Sequence, residues 1–213
     1  MILPHGDAAL REAARRTAEG GLVAFRTDTF YGLGADPFNT QALERINALK
    51  GRDGKPILVV VSDAAVVARF VAGETEAFRA LAAEFWPGAL TLVLRARREV
   101  PELITAGTGT IGVRLPADEE VRELVGACGG ALTATSANPA GAPPARAARD
   151  VETYFGDSLP LVIDGGETTS ERPSSVVDVT GDGASLIREG VVTADSLERA
   201  LRPRGIELRR PAP

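Results

Sequence analysis

The sequence predicts an α/β fold of the mixed (α+β) kind, with a twisted mixed β-sheet and surrounding helices. Short apolar runs rich in β-branched residues, such as Ile57–Val61, are typical of buried strands. Segments with the helical period lie between many of these runs. Because helices are missing between the last strands, we expect part of the sheet to be antiparallel.

In the first half of the chain, capping residues and breakers bound the predicted elements. Asp7 and Thr40 are suited to cap helices, and Gly20-Gly21 ends the first helix. Trp86-Pro87-Gly88 stops a later helix, because proline cannot continue it. The predicted elements are helix Asp7–Glu19, strand Leu22–Phe25, a helix from Thr40 to Leu49, strand Ile57–Val61, helices Asp63–Val71 and Thr75–Phe85, and strand Leu90–Leu94.

The second half begins with a glycine- and threonine-rich segment, Thr105–Gly112. Gly129-Gly130 ends one of the helices that follow, and Thr193 is suited to cap the last one. The predicted elements are strand Ile111–Arg114, helix Asp118–Cys128, strand Ala131–Thr135, a loop over Ser136–Gly141, helix Ala147–Phe155, strands Leu161–Asp164, Val176–Thr180 and Ser185–Arg188, and helix Thr193–Leu201.

Length and composition favour one domain. The chain has 213 residues, of which 44% are hydrophobic, and we place the domain at residues 1–201. Residues 202–213 are rich in proline and arginine, which predicts a flexible tail. There is no apolar run of membrane-spanning length and no secretion signal, so we expect a cytoplasmic protein without membrane contact.

Composition also excludes several kinds of site. The chain has one cysteine, Cys128, and one histidine, His5, which rules out disulfide frameworks, zinc clusters and Ser-His-Asp catalysis. No protein-bound metal is predicted. A net charge of −5 disfavours a general electrostatic grip on nucleic acid, although it allows a local basic patch.

The stretch Arg26–Pro56 joins two predicted buried strands through hydroxyls, glycines and cations. Ligands usually bind at strand ends in α/β proteins, so we interpret it as one wall of an anion-binding active site. Small hydroxyls and arginines end several other strands. The candidate residues are Thr27, Thr29, Lys50, Arg52, Lys55, Thr110, Arg114, Ser136, Asn138, Ser174 and Arg188. Together they suit a polyphosphate and a small carboxylate-bearing ligand.

Each candidate also has an ordinary structural interpretation. A Lys-x-Arg after a helix is favoured by the helix dipole, and Thr-x-Thr and Ser-x-Asn are common turn sequences. Gly32-Leu33-Gly34 lacks the third glycine of a dinucleotide-binding fingerprint, and no Walker-type Gly-Lys-Ser/Thr is present.

Six blocks in one order resemble a known family over about residues 10 to 195. Thr27–Gly34 resembles its Pro-Thr-Glu-Thr-x-Tyr-Gly-Leu signature, and Lys50-Gly51-Arg52 with Ser136-Ala137-Asn138 resembles its Lys-x-Arg…Ser-x-Asn tetrad. The other matching blocks are Trp86–Thr91, Gly112–Pro116, Ser174–Asp178 and Ile187–Gly190. The family is the YrdC-like family of threonylcarbamoyl-AMP synthases, and the chain resembles its single-domain type.

This resemblance implies a YrdC-like fold with a concave basic face, and an enzyme, a nucleotidyltransferase. Its reaction joins L-threonine, bicarbonate and ATP for threonylcarbamoyladenosine modification of tRNA. The resemblance also implies that Mg²⁺ accompanies ATP and is held mainly by phosphates and water. Downstream threonylcarbamoyl-transfer proteins and a contact to tRNA are the implied partners. The resemblance gives catalysis to Lys50 and Arg52, threonine binding to Thr29, Arg114 and Ser174, and ATP binding to Lys50, Arg52, Lys55, Thr110, Ser136, Asn138 and Arg188.

Three positions depart from the family pattern. Arg26 replaces the common proline and is expected to add a charge at the edge of the pocket. The segment Asp53–Pro56 is one residue shorter than the usual form, which bears on the assignment of Lys55. Val60 stands where some members have histidine, so a side-chain contact to threonine is not implied there.

Two other functions fit the same pattern. One is a non-catalytic module for double-stranded RNA, whose phosphates a concave basic face could bind. The acidic balance and an aromatic content of 5% weaken this alternative. The second is a relative of carbamoyltransferases, which contain a similar fold within larger enzymes. Those enzymes carry zinc-finger or acylphosphatase-like modules, and this chain has neither.

Overall fold

Two mixed β-sheets organise the computed structural model, which describes residues 1–51 and 54–210. The mixed α/β class predicted from the sequence is confirmed, but the strands form two sheets and not one. The smaller sheet has the order β1-β9-β2-β3-β8, and the larger has the order β12-β11-β10-β5-β6-β4-β7. Both sheets combine parallel and antiparallel neighbours.

The strands of the described residues are short. They are β1 (Ile2–Pro4), β2 (Val23–Phe25), β3 (Gly32–Gly34), β4 (Val59–Val61), β5 (Leu90–Arg95), β6 (Thr110–Arg114), β7 (Ala131–Thr133), β8 (Thr135–Ser136), β9 (Val162–Asp164), β10 (Ser175–Asp178), β11 (Ala184–Arg188) and β12 (Leu208–Arg209). Sequence patterns missed β1, β3 and β12, because these runs are too short or too rich in glycine to give a strand signal.

The helices of the described residues cover the sheets. They are α1 (Asp7–Ala18), α2 (Thr40–Lys50), α3 (Glu76–Phe85), α4 (Glu102–Thr105), α5 (Glu119–Ala127), α6 (Ala148–Phe155) and α7 (Ala194–Leu201), with 3₁₀ turns at Ala64–Arg69, Gly156–Ser158 and Arg202–Arg204. Among the described residues no helix is both long enough and apolar enough to cross a lipid bilayer.

Three of the predicted helix starts are corrected. Asp7 does not cap α1 but is its first residue, and the cap is Gly6, which offers no side-chain hydrogen bond. Asn39, not Thr40, caps α2, and its side chain accepts a hydrogen bond from the amide of Ala42 at 3.0 Å. The predicted helix Asp63–Val71 is a 3₁₀ turn instead, which Asp63 caps. The β-branched pair Val66-Val67 lies within this turn, and such residues lower helix propensity. The predicted cap at Thr193 is confirmed, and Thr75, the first residue of a predicted helix, caps α3.

Strand alternation in the larger sheet separates the hydrophobic core from a polar face. Leu90, Leu92 and Leu94 of β5 are fully buried in the main core cluster, with Ile111 and Val113 of β6. The residues between them point to the other side, since successive side chains of a strand alternate. That other side carries threonines and arginines, and it forms the floor of the cavity described below.

The two sheets join where β7 leads directly into β8. Thr133, at the end of β7, is fully buried and donates from its amide to Ala35 O at 3.0 Å. Its hydroxyl donates to Leu33 O at 3.0 Å and accepts from the amide of Ala35 at 2.9 Å. These bonds fix the angle between the sheets, because both partners lie in or beside β3.

The C-terminal segment 202–210 has secondary structure and ion pairs, whereas the sequence predicted a flexible tail. Arg202–Arg204 form a 3₁₀ turn, and β12 pairs in parallel with β11. Arg210 makes ion pairs with Asp195 and Glu198 of α7 at 2.7 and 2.8 Å. Composition could not reveal these contacts, because the partners are surface charges of another element. Residues 211–213 lie outside the described residues.

We expect Ala106→Gly to stabilise the protein. Ala106 follows α4 with φ +49°, a left-handed conformation in which a Cβ is unfavourable. The free energy of unfolding should rise by about 0.5–1 kcal/mol, measured by urea denaturation. The matched control is Ala83→Gly on the exposed side of α3, which should lose about 1 kcal/mol. A loss of similar size at both positions would contradict the prediction.

Candidate active site

A cavity of about 510 Å³ is lined by residues from both sheets. Its floor is the polar face of the larger sheet, and its other wall is formed by the turn Thr27–Gly32 and the segment Ala134–Ser136. Further lining residues come from Pro56–Leu58 and from Pro173-Ser174. The cavity therefore collects segments that are far apart in sequence.

Strand register aligns the floor residues in one row. Val60 of β4 is opposite Arg114 of β6, and Val176 of β10 is opposite both Thr91 of β5 and Arg188 of β11. All five line the cavity. The row thus carries two guanidinium groups separated by small side chains on the intervening strands.

Arg114 is a buried cation in this row. Its Nε donates to Gly88 O at 3.0 Å, one Nη donates to Thr29 Oγ1 at 3.2 Å, and the other forms an ion pair with Asp28. Burial lowers the pKa of Arg114, and the carboxylate of Asp28 opposes that shift. An arginine remains charged even so, and its planar fork suits a ligand carboxylate.

Arg188 is the second cation of the floor. Its guanidinium donates to Ser174 O at 2.8 Å, and Ser174 Oγ lies 3.1 Å from Thr91 Oγ1. The pKa of Arg188 is lowered by burial and by the positive charge of Arg114. The two arginines therefore act on one another, and an anionic ligand between them would relieve their repulsion.

The wall turn is held by threonine hydroxyls. Thr27 Oγ1 accepts from the amides of Thr29 and Phe30 at 3.2 and 3.3 Å, and Thr27 N donates to Phe30 O. Thr29 Oγ1 lies 3.1 Å from Thr27 Oγ1. This ST turn places Thr29 against Arg114 and leaves both threonines in the cavity wall.

Tyr31 ties the wall turn to the loop after β9. It is fully buried, and its hydroxyl donates to Gly166 O at 2.8 Å and lies 3.3 Å from Asp164 Oδ1. Its amide donates to Ala145 O at 3.0 Å. Burial, followed by the charge of Asp164, raises the pKa of Tyr31 to about 12.

Most of the predicted site residues line this one cavity. Thr29, Thr110, Arg114, Ser136, Ser174 and Arg188 do so. Lys50, Lys55 and Asn138 are not among the described residues that line it. Arg52, predicted to act in catalysis, lies outside the described residues, as does Asp53.

Lys50 and Asn138 lie behind the wall segment at Ser136. The buried ammonium of Lys50 donates to Ser136 O and to Asn138 O, the latter at 2.7 Å. Asn138 Nδ2 donates to Ala142 O at 2.7 Å, while its buried Oδ1 has no hydrogen-bond partner among the described residues. Both side chains thus hold the loop that carries Ser136.

Two residues face elsewhere. Lys55 borders a separate depression with Asn47, Glu102 and Gly107. The expectation that Arg26 adds a charge at the pocket edge is wrong, because its guanidinium pairs with Asp118 at 2.6 Å and Glu120 at 3.4 Å. The sequence pattern could not reveal this, since these acids lie over 90 positions away in the chain.

Several lining or supporting residues were not predicted as site residues. Asp28 is the acid between two predicted threonines, and its charge beside Thr29 was an available signal. Thr91 is a polar residue at alternate spacing in an apolar strand, which also indicates a functional face. Asp178 is the one carboxylate among the described lining residues, and its Oδ1 accepts from the amide and hydroxyl of Thr180.

Comparison with known proteins gives one family. The family model described as Telomere recombination, that of the Sua5, YciO and YrdC proteins, matches residues 16–190. A Pyrococcus abyssi protein named threonylcarbamoyl-AMP synthase is 37% identical over 196 residues, covering 90% of this chain and 57% of that protein. A Halorhodospira halophila protein of the same name is 35% identical over 170 residues, covering 79% of this chain and 89% of its own length.

The solved structures include a close likeness. The crystal structure of P. abyssi Sua5 complexed with L-threonine matches with a TM-score of 0.93 and 34% identity, covering 99% of this chain and 62% of that chain. The chain therefore spans less than two thirds of the P. abyssi protein but most of the H. halophila protein.

We expect Tyr31→Phe to destabilise the protein by about 1 kcal/mol at neutral pH, because it removes the part-buried hydrogen bonds of the hydroxyl to Gly166 O and Asp164. The wild type should also lose stability as pH rises from about 10 toward 12. In that range the unfolded tyrosine, with its ordinary pKa near 10, releases a proton that the folded one, with a pKa of about 12, keeps. In urea unfolding measured across this pH range, the free energy of unfolding of Tyr31→Phe should fall less steeply than that of the wild type.

The matched control is Tyr154→Phe, at the only other tyrosine of the chain. Its hydroxyl donates to Pro143 O in an exposed position, so this variant measures what the loss of a tyrosine hydroxyl outside the buried contact of Tyr31 does to the same unfolding series. Parallel slopes for the wild type and Tyr31→Phe would refute the prediction.

Proposed function

The chain belongs to the family of the Sua5, YciO and YrdC proteins, and we propose that it is a threonylcarbamoyl-AMP synthase. Its substrates are L-threonine, bicarbonate and ATP, and its products are threonylcarbamoyl-AMP, pyrophosphate and water. The observation that carries the proposal is the cavity, which combines two arginines with hydroxyl donors and a single carboxylate among its described lining residues. Curated relatives of that name at 35–37% identity support it.

L-Threonine binds at the Arg114 end of the cavity floor. Arg114 takes the carboxylate through its fork, and Thr29 and Ser174 supply hydroxyls close to it. Apart from its ion pair with Asp28, Arg114 has only neutral partners, so a ligand carboxylate would add a second counter-charge. The related P. abyssi Sua5 has been crystallised in complex with the same amino acid, which supports this assignment.

ATP binds along the remaining rim. Arg188, Thr110 and Ser136 line the cavity and can contact phosphate oxygens or sugar hydroxyls. Lys50 and Asn138 support the Ser136 loop from behind, and the buried charge of Lys50 adds to the positive potential there. The family resemblance also assigns ATP binding to Arg52 and Lys55, and catalysis to Arg52 and Lys50. These roles stay predictions, because Lys55 borders a separate depression, Lys50 lies behind the Ser136 loop and Arg52 is outside the described residues.

The reaction needs no protein nucleophile. Bicarbonate takes up a proton and loses water, which gives CO₂. The amine of threonine adds to this CO₂ and loses a proton, which gives a carbamate. A carbamate oxygen then attacks the α-phosphorus of ATP, a new P–O bond forms, and the bond to the pyrophosphate oxygen breaks. Negative charge grows on the α-phosphate and on the leaving group, and fixed arginines and hydroxyl donors stabilise it. A chain with one histidine can therefore perform this chemistry.

Mg²⁺ enters with ATP as part of the substrate. Asp178 is the only carboxylate among the described residues that line the cavity, and no three histidine, cysteine or carboxylate groups cluster within the described ranges. Phosphates and water would then supply most of the ligands, as the octahedral preference of Mg²⁺ allows.

The product is a labile mixed anhydride, so a second protein has to transfer its threonylcarbamoyl group to tRNA. Contact of this chain with tRNA, and a cytoplasmic location where ATP and tRNA meet, belong to the same proposal. A double-stranded RNA module without activity is the competing function, and its affinity for RNA would fall steeply with salt.

The deciding experiment is pyrophosphate release with ATP, bicarbonate and each amino acid in turn. We expect release that requires threonine and bicarbonate together. With ¹³C-bicarbonate, mass spectrometry should find the label in a threonyl adduct of AMP. No amino-acid-dependent release, with salt-sensitive RNA binding in its place, would favour the competing function.

We expect Arg114→Lys to raise the KM for threonine about tenfold or more, with a much smaller change in the KM for ATP. Lysine keeps the charge but cannot make the forked contact. Steady-state kinetics with each substrate varied in turn measures both constants. The matched control is Arg26→Lys, at an arginine whose ion pairs lie outside the cavity. Equal effects on both substrates would remove Arg114 from the threonine site.

A further inference from the structure

The three hydrogen bonds of Arg114 leave a defined part of its guanidinium for a ligand. A guanidinium has five N–H donors. Nε–H is taken by Gly88 O, one Nη1–H by Thr29 Oγ1 and one Nη2–H by Asp28 Oδ1. One N–H remains on each Nη. Two Nη donors of one guanidinium can bind both oxygens of a carboxylate, so the three partners influence the direction from which a ligand carboxylate meets Arg114.

Asp28 supplies the charge among these partners. Gly88 O and Thr29 Oγ1 are neutral acceptors, whereas Asp28 carries a full negative charge. Arg188 lies close enough for its pKa to be lowered by the charge of Arg114. A buried guanidinium beside a second cation is unfavourable without a counter-charge, and Asp28 provides it.

Asp28 contacts Arg114 from outside the cavity. Its neighbours Thr27, Thr29 and Phe30 line the cavity, whereas Asp28 is not among the described lining residues. Its side chain is 17% exposed, compared with 3% for Arg114. The threonine-held turn fixes the backbone on both sides of Asp28, and the ion pair with Arg114 directs its carboxylate.

We infer that Asp28 is a positioning residue for amino-acid binding: it holds the guanidinium of Arg114 so that the free Nη pair meets the carboxylate of the substrate. This inference rests on the proposed function for the identity of the substrate. Asp28 itself makes no contact with the amino acid. Its effect is to keep Arg114 in one orientation, which reduces the ordering that binding would otherwise require.

The test compares Asp28→Asn with the wild type in two measurements. Asparagine keeps the size of the side chain and removes its charge. Threonine binding, measured by calorimetry, should weaken about tenfold, while the KM for ATP should change less than about twofold. The side-chain Nε–H signal of Arg114 in ¹⁵N NMR, assigned with Arg114→Lys, should shift and exchange faster with water, because the guanidinium loses its one charged partner and is held only by neutral acceptors.

Asp118→Asn is the matched control. Asp118 forms an ion pair with Arg26, and its side chain is 15% exposed, which is close to the value for Asp28. Asparagine can still cap α5 there, so threonine binding and the Arg114 signal should remain as in the wild type. Asp28→Glu keeps the charge and should restore part of the lost affinity. Equal unfolding temperatures of Asp28→Asn and Asp118→Asn would exclude a loss of stability as the cause of weaker binding. If Asp28→Glu then restores no threonine affinity, the charge of Asp28 is not what supports binding.

The two measurements separate this inference from the proposed function. A wild-type protein that binds no threonine contradicts the proposed function, yet a displaced Arg114 signal in Asp28→Asn would still support the positioning role. A wild type that binds threonine and an Asp28→Asn variant with unchanged affinity and an unchanged Arg114 signal would overturn the inference alone. Equal losses for threonine and ATP would also overturn it, because positioning of Arg114 acts on one substrate.

Discussion

The buried guanidinium of Arg114 is the interaction on which the site depends. Removing a cation from water is costly unless charge and hydrogen bonds replace the lost hydration. Here the replacement comes from three residues in two separate segments: Asp28 and Thr29 of the wall turn, and Gly88 O before β5. The fold must hold these segments together for Arg114 to be tolerated, and the same arrangement makes it a ready receptor for an anion.

Sheet alternation explains how a hydrophobic core and a cationic cavity share the same strands. In β5 and β6 one set of side chains fills the core, and the other set forms a floor of hydroxyls and guanidinium groups. The opposite wall is fixed by bonds that cross between segments, from Thr133 to Leu33 and Ala35 and from Tyr31 to Gly166. Stability and ligand geometry therefore depend on some of the same contacts.

Much of the fold followed from local patterns. The β-branched run at β4, the helix from Thr75 and the cap at Thr193 were predicted because strand period, helical period and capping chemistry are local properties. The 3₁₀ turn after Asp63 and the ordered segment up to Arg210 were not, because competing local preferences and distant ion pairs decided them. The number of sheets also lies beyond any local pattern.

The sequence by itself determined the residue types of the site and the strands that carry them, since hydroxyls and arginines at strand ends are visible in one dimension. Only the tertiary structure decided which of them meet. It brought Thr29, Arg114, Ser174 and Arg188 into one cavity, put Lys50 behind the loop at Ser136, and turned Arg26 away toward Asp118. It also revealed the pairing of Asp28 with Arg114. Such pairings join residues far apart in the chain, and burial and charge select them only once the sheets have packed.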